Sequence, residues 1–318
     1  MKELISVIMS AYNEKESDLK ESIESILNQT YSKIELIIVN DNPSNPELKR
    51  ILESYLKKDS RIRIIYNASN MGLARSLNVA LQSAKGEFIA RMDADDISVN
   101  NRLELQYKYL KNHSDCDLVS SNRVDIDEDS KLIGTDTRFH IHDEYLKDVI
   151  RYGSVIIHPT VMARKKLFEE MQGYNNFRAA QDYDLWIRIL GTGHKVHIME
   201  EQLLKYRMRS DSITKGNFYR QYLYSKLALE RQSLRESTGD KAMIYSQEEI
   251  DDFLNKNRLN DKEYVQRFND LYWSIHNNIS KKNILRLLTL VPQILRLPEM
   301  KNVLIKEYRF KKALKKYS

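Results

Sequence analysis

Glu87-Phe88-Ile89-Ala90-Arg91-Met92-Asp93-Ala94-Asp95-Asp96 decides how the rest of the chain is read. An apolar run of strand length passes directly into three carboxylates within four positions. A free Asp titrates near ~3.9, so all three are expected to be ionised at neutral pH and to repel one another. A chain tolerates this in one of two ways. The cluster is a solvated acidic turn, or its carboxylates gather around a cation.

The surrounding pattern separates these readings. Upstream lie three more apolar runs of strand length, 4–9, 34–39 and 62–66. Residues 10–14 break the first run, and a helical pattern starts at Asp18, with Leu19, Ile23, Ile26 and Leu27 on one face. Asn40-Asp41-Asn42-Pro43 ends the second run, and Pro46 suits the first turn of the helix that follows. Asn70-Met71-Gly72 leads into a third helix through Leu73, Leu77, Ala80 and Leu81. Strands that alternate with helices, and are apolar enough to be covered on both faces, predict a mostly parallel, doubly wound α/β sheet flanked by helices. In such sheets ligands bind beyond the strand C-termini. The loops there are 10–14, 40–45, 67–72 and 93–98, and they supply Asn13, Asp41, Asn70 and the Asp93/Asp95/Asp96 group. Four polar loops converging on one crevice favour a ligand site over a solvated turn.

Absent motifs narrow the ligand. There is no GxGxxG after the first strand, no GxxxxGK[ST], no HExxH and no zinc-like Cys/His spacing. A carboxylate site without Cys or His suits Mg²⁺ or Mn²⁺, held by one or two carboxylates together with ligand phosphates. A metal-bridged diphosphate is therefore the expected occupant.

Composition agrees with a compact chain. Of its 318 residues, 42% are hydrophobic, and nine Gly with five Pro leave little room for linkers. The single cysteine, Cys116, excludes an internal disulfide framework and fits a cytoplasmic setting. Residues 1–9 carry no basic region followed by a long apolar core, so no signal peptide is expected. No run of 18 apolar residues occurs. The net charge of +6 is local: residues 281–318 hold 11 Lys/Arg and two acids, leaving 40 basic and 43 acidic side chains elsewhere. A near-neutral body with a basic tail argues against nucleic acid as a partner.

Five segments in order carry a resemblance: residues 7–14 (VIMSAYNE), 39–41 (VND), 70–72 (NMG), 92–96 (MDADD) and 181–188 (QDYDLWIR). Together they resemble the GT-A-fold family 2 glycosyltransferases from about residue 4 to residue 214. The resemblance implies a GT-A domain over 1–215, its nucleotide-binding half about 1–98 and its acceptor half about 99–215, followed by a helical, basic extension over 216–318. It puts Ala11, Tyr12, Glu14 and Asp41 at the uridine of a UDP-sugar donor, with Asp41 accepting from the base. Asn70 and Arg75 are further candidates on that side, though Arg75, like Asn78, is equally readable as solvated. Asp93-Ala94-Asp95 matches the family's DXD motif, with Asp93 near the ribose and Asp95 on Mn²⁺ or Mg²⁺. Asp96 is an extra carboxylate on the acceptor side, towards the sugar.

The family's catalytic base is the Asp of a Glu-Asp pair, which here reads Gln181-Asp182. His158, in the run 158–162 (HPTVM), and Gln181 and Trp186 fall on the acceptor side; Trp186 also reads as core. Where many members carry a His, this chain has Arg209, so Arg207 or Arg209 is expected on the diphosphate. His194 and His197 are alternative metal contacts or surface groups, and His113, His140 and His142 read as surface groups.

The implied chemistry is direct displacement with inversion. A carboxylate takes the proton of an acceptor hydroxyl as it attacks, and the metal stabilises the leaving diphosphate. No second carboxylate is needed as nucleophile. The acceptor is then a glycan or a lipid-linked glycan, as in surface polysaccharide synthesis. Two rivals are a nucleotidyltransferase that makes a sugar nucleotide and a non-catalytic sugar-nucleotide or glycan-binding module.

After residue 214 the composition turns helical, with patterns at 248–255 and 262–279. The last segment alternates apolar turns with Lys and Arg, and Pro292 and Pro298 are expected to break it. Either this tail is a solvated cap or a homo-oligomer contact, or its basic amphipathic part binds an anionic membrane surface peripherally, on the cytoplasmic side.

Overall fold

The computed structural model describes residues 2–136, 141–209, 213–238 and 244–317. His140, and Ser210, Asp211 and Ser212, lie outside them.

The expected alternation forms over the first 91 residues: β1 (Ile5–Ala11), α1 (Glu16–Leu27), β2 (Ile34–Asn40), α2 (Pro46–Lys58), β3 (Ile62–Tyr66), α3 (Leu73–Ser83) and β4 (Phe88–Arg91). These strands lie in the order β3-β2-β1-β4, and every pairing among them is parallel. Alternate side chains serve opposite layers. Val7 and Met9 pack with Leu19, Ile23, Leu48 and Ile51 of α1 and α2, whereas Ile8 packs with Ala74 and Leu77 of α3. β1 runs past the expected break, because Ser10 and Ala11 stay on the ladder opposite Val39 and Asn40. The α2 start is set by Asn45, whose side chain accepts from the amides of Glu47 and Leu48, with Pro46 in the first turn.

The second half adds β5 (Ile97–Ser98), α4 (Arg102–Asn112), β6 (Leu118–Ile126), β7 (Leu132–Asp136), α5 (Leu146–Ile150), β8 (Met162–Arg164), α6 (Lys165–Glu170), α7 (Gln181–Gly191) and β9 (Val196–Arg207). β8 joins the halves by pairing antiparallel with both β4 and β6. β9 runs parallel to β6 and antiparallel to β5. The order across the sheet is β3-β2-β1-β4-β8-β6-β9-β5, with β7 on β6.

Five helices follow: α8 (Ile213–Thr238), α9 (Gln247–Lys256), α10 (Lys262–Ser280), α11 (Ile284–Arg296) and α12 (Pro298–Tyr317). Three of these starts carry side-chain caps, the Ser246/Glu249 capping box on α9, Asp261 on α10 and Asn283 on α11. Pro298 opens α12, as a break there requires. Pro292 does not break the chain: it stands inside α11, which continues to Arg296. It costs that helix one backbone hydrogen bond. Tyr219, Phe268 and Met300 from these helices share one hydrophobic cluster with Trp186 and Ile189 of α7. No helix among the described residues is long and apolar enough to cross a membrane.

Candidate active site

Because β3, β2, β1 and β4 are parallel neighbours, their C-terminal loops share one edge of the sheet. A cavity of about 890 Å³ opens there. Tyr12, Glu14, Asp41, Asn70, Asp93, Ala94 and Asp95 line it from the strand ends, and His158, Gln181 and Asp182 line it from the opposite side. Ala11 is fully buried at the end of β1 and supports this wall from behind.

Asp41 holds the 67–72 loop in place. Its Oδ1 accepts from the Met71 amide at 2.8 Å and from Asn67 Nδ2 at 2.7 Å, and its Oδ2 accepts from the Gly72 amide at 2.9 Å. Gly72 has φ +84°, a region glycine enters without strain. Asp41 nonetheless lines the cavity itself. Glu14 Oε2 accepts from the Tyr12 amide at 2.7 Å, and burial pushes its carboxyl up.

The three clustered acids separate by environment. Asp93 pairs with the buried Arg91 guanidinium. Burial and the neighbouring Asp93 charge push Asp95 up to about 6, while Arg209 Nη2 lies 3.1 Å from its Oδ2. Asp96 is turned inward and is only 1% exposed. Its Oδ1 accepts from the Arg207 amide at 2.8 Å, and its Oδ2 is buried without a hydrogen-bond partner. Burial first, then Asp93 and Asp95, raise it well above the carboxylate range. Asp96 therefore does not face a sugar in this cavity. It ties the strand-end loop to β9.

Arg207 and Arg209 also part company. The Arg207 guanidinium is buried and committed to the protein, donating to the carbonyls of Asp95, Asp127 and Glu128, to Ser130 Oγ and to Glu21. Of the two, Arg209 is the one paired with the Asp95 carboxylate, bridging it to Asp18. Arg75 points at Asn176, 2.9 Å away, and through it reaches the rim of the cavity. Asn78 brackets the opposite loop, donating to the Tyr174 carbonyl and accepting from its amide. Gly173 is required beside it, since φ is +71° and a Cβ would sit 2.4 Å from Asn78 Oδ1.

Asp182 stands in the first turn of α7, after Ala180 turns the chain at φ +55°. Burial raises its carboxyl, Asp93 adds to the shift, and the amides of Tyr183 and Asp182 oppose it. The helix is anchored one turn deeper. Asp184 and Arg188 form a buried pair at 2.9 Å, Arg188 donates to the carbonyls of Met171 and Gly173, and Asn175 donates to Asp184. Trp186 is fully buried, edge-on to His158 at 5.9 Å, and offers no platform to the cavity. His158 Nε2 lies 2.9 Å from the Tyr174 hydroxyl, and burial holds the imidazole well below its usual range. His194 pairs with Asp117 and Glu170, and His197 pairs with Asp143, none of which lines the cavity.

Among the described residues no three His, Cys, Asp or Glu side chains are grouped to hold a metal by themselves. One or two carboxylates plus phosphate oxygens are nonetheless a usual Mg²⁺ or Mn²⁺ set, and Asp95 lines the cavity with Asp93 beside it. The repulsion that raises Asp95 is relieved by a cation. The donor set fits such an ion.

Residues that sequence reasoning missed complete the far wall: Ser154, Phe177 and Arg178, then Asn217, Arg220 and Gln221 of α8, and Phe310 of α12. Phe310 lies against Gly153, where a Cβ would come within 2.9 Å of its ring. Arg178 and Arg220 both present cations on this side of the cavity.

The family profile described as "Glycosyl transferase family 2" matches residues 6–172, a span that includes all four strand-end loops and stops before Asp182. The chain is 39% identical to an uncharacterised glycosyltransferase of Methanocaldococcus jannaschii, over 72% of this chain and 79% of that protein. It is 35% identical to the putative glycosyltransferase EpsE of Bacillus subtilis, over 67% and 76%. The O-antigen biosynthesis glycosyltransferase WbnJ of Escherichia coli is also 35% identical, over 67% and 83%. Among solved structures, S. aureus TarS superimposes with a TM-score of 0.55 at 19% identity, over 70% of this chain and 39% of that one. This last likeness is one of fold, a mostly parallel GT-A-like sheet flanked by helices.

Proposed function

The chain belongs to glycosyl transferase family 2, and from that premise we propose that it moves a sugar from a UDP-sugar to a hydroxyl of a glycan or lipid-linked glycan, with inversion, on the cytoplasmic side of the membrane. Membership sets aside the nucleotidyltransferase reading. The observation that carries the proposal is that Asp93, Asp95 and Asp182, far apart in sequence, line one cavity. In-line displacement needs a base as well as a leaving-group site in one cavity, and here Asp93 and Asp95 follow β4 while Asp182 stands in the first turn of α7.

In this reading Tyr12, Glu14, Asp41 and Asn70 hold the nucleoside, with Asp93 near its ribose, and Asp95 together with the diphosphate oxygens would hold Mn²⁺ or Mg²⁺. The ion, when bound, supplies positive charge to the departing diphosphate. Arg209 is the side chain placed to follow that charge, since it already rests on Asp95. Asp182 takes the acceptor hydroxyl proton. Its upward shift brings it closer to the pKa of an effective base at neutral pH. Arg178, Arg220 and Phe310 form the acceptor wall, a cationic and aromatic surface suited to a sugar that carries negative charge. Surface polysaccharide is the favoured product class, in keeping with the E. coli relative named for O-antigen biosynthesis.

A thermal-shift panel of nucleoside diphosphates and sugar nucleotides, with and without Mn²⁺, tests the donor assignment. UDP with metal is expected to stabilise the wild type more than Asp95→Ala, and equal shifts would sink the metal–diphosphate assignment. UDP release from the matching donor distinguishes an enzyme from a binding module, which releases none.

A further inference from the structure

α11 has two apolar faces, and only one is used by the protein. Leu287, Leu290 and Ile294 pack into the main hydrophobic cluster. On the other side Leu285 is 80% exposed, Leu295 74%, Ile284 69% and Leu288 62%, with Val291 beside them at 44%. Positions 284, 288, 291 and 295 recur at helical spacing, so they make one stripe along the whole helix. Large side chains this exposed and this contiguous mark a surface that is covered in use.

The charges around the stripe indicate by what. Lys281, Lys282, Arg286 and Arg296 are exposed, and none has a carboxylate partner among the described residues. The chain carries no acid at all from 271 to 298. A second copy docking on this face would bring four cations against four cations. An anionic bilayer meets both features at once, with acyl chains for the stripe and lipid phosphates for the cations. At about 1.5 Å per residue α11 is roughly 20 Å long, too short to span a bilayer but long enough to lie in its interface. α12 is a different case, because Met300, Val303 and Ala313 turn its apolar face back onto the protein.

We infer that α11 is an in-plane docking helix that seats the protein on an anionic bilayer, with Ile284, Leu285, Leu288 and Leu295 in the acyl boundary and the four cations at the headgroups. The docking is independent of which sugar the site transfers. It also deepens the lipid-linked acceptor reading, because the chain leaves α11 directly into α12, which brings Phe310 to the cavity wall.

Flotation of the full-length protein with phosphatidylcholine vesicles, with and without phosphatidylglycerol, tests this. The wild type is expected to float with the anionic vesicles and at least tenfold less with neutral ones. Leu285→Ser/Leu288→Ser removes mostly exposed atoms, so it should stay folded with a Tm close to wild type and keep UDP release, yet lose flotation at least tenfold. Lys281→Gln/Lys282→Gln/Arg286→Gln should lose flotation on anionic vesicles to a similar extent. Equal flotation of the serine variant and the wild type would overturn insertion of the stripe, even if the charge variant failed. So would a wild type that ignores vesicles and instead forms a dimer in sedimentation velocity that Leu288→Ser abolishes. Equal wild-type binding to neutral and anionic vesicles would overturn the role of the cations. Because flotation is read without donor or acceptor, its failure leaves the transferase reading standing, and the reverse also holds.

Discussion

The two walls of the cavity are built by different physics. The strand-end wall hangs on a parallel ladder, and its loops are locked by backbone hydrogen bonds such as those from Met71 and Gly72 to Asp41. Its charged groups are mostly acids. The opposite wall is made of helix ends and one ring, held by side-chain packing: Phe310 on Gly153, Tyr145 stacked on Tyr317 at 4.4 Å, and the His276–Glu307 pair at 3.1 Å. Its charged groups are Arg178 and Arg220, apart from Asp182. A ladder fixes geometry for chemistry that tolerates little displacement, whereas packed helices can be re-cut to fit a different acceptor without disturbing the ladder. The strand-end wall should therefore govern donor and metal, and the helical wall acceptor choice, with Asp182 as the one catalytic group on the second wall.

The sharpest test is that exception. Asp182→Asn should lower kcat by about 10²–10⁴ while leaving the UDP-induced rise in Tm unchanged. The acid limb of the wild-type kcat profile should lie above the ordinary Asp value of ~3.9, because the raised carboxyl must ionise to act. Activity then falls as pH drops, and any residual activity of the variant should lack that limb. Asp95→Ala follows, with a loss on the order of 100-fold or more in kcat and no metal-dependent Tm shift. A loss of acceptor affinity alone would break the division between the walls. Arg220→Ala and Phe310→Ala should raise the acceptor KM by roughly tenfold, the scale of one lost interaction of about 1.4 kcal/mol, with donor hydrolysis unchanged. Asp41→Ala should destabilise the fold by about 1–3 kcal/mol in denaturant titration, since it strands the amides of Met71 and Gly72.

The smallest effect concerns the helical wall alone. Glu307 holds His276 above its usual range, and His276 and Tyr272 hold Glu307 below the carboxylate range. The stability from the raised imidazole is fully present below about pH 6.5 and is lost as pH rises through its folded value. The part from Glu307 is present above about pH 4.3 and is lost at lower pH. The Tm difference between wild type and His276→Gln should therefore be largest between those limits and shrink on either side of them.

Much of the strand-end wall could be read before any coordinates, because strands, turn formers and loop acids are local signals. Asp41 and Asp93-Ala94-Asp95 announce themselves within a few residues. Asp96 does not, since nothing in the string distinguishes it from Asp95. Only the turn of the chain sends one carboxylate to the cavity and its neighbour 111 residues along to the Arg207 amide. Arg207 has the same difficulty in reverse, its five acceptors being scattered from Glu21 to Ser130. Arg220 and Phe310 sit in stretches that read as ordinary helix, and their exposure to the cavity is made by tertiary packing. The 181–188 run was legible as an amphipathic helix with an acid at its start, but the Asp184–Arg188 anchor was not, because a buried pair and a solvated pair have the same spacing.

Phe310 has a consequence in time as well as in space. The ring that closes on Gly153 is made 157 residues after it. At about 5–20 residues per second, a growing chain spends roughly 8–30 s with its strand ends formed and the facing wall unfinished. During synthesis the strand-end loops thus precede by that interval the ring that completes the wall facing them.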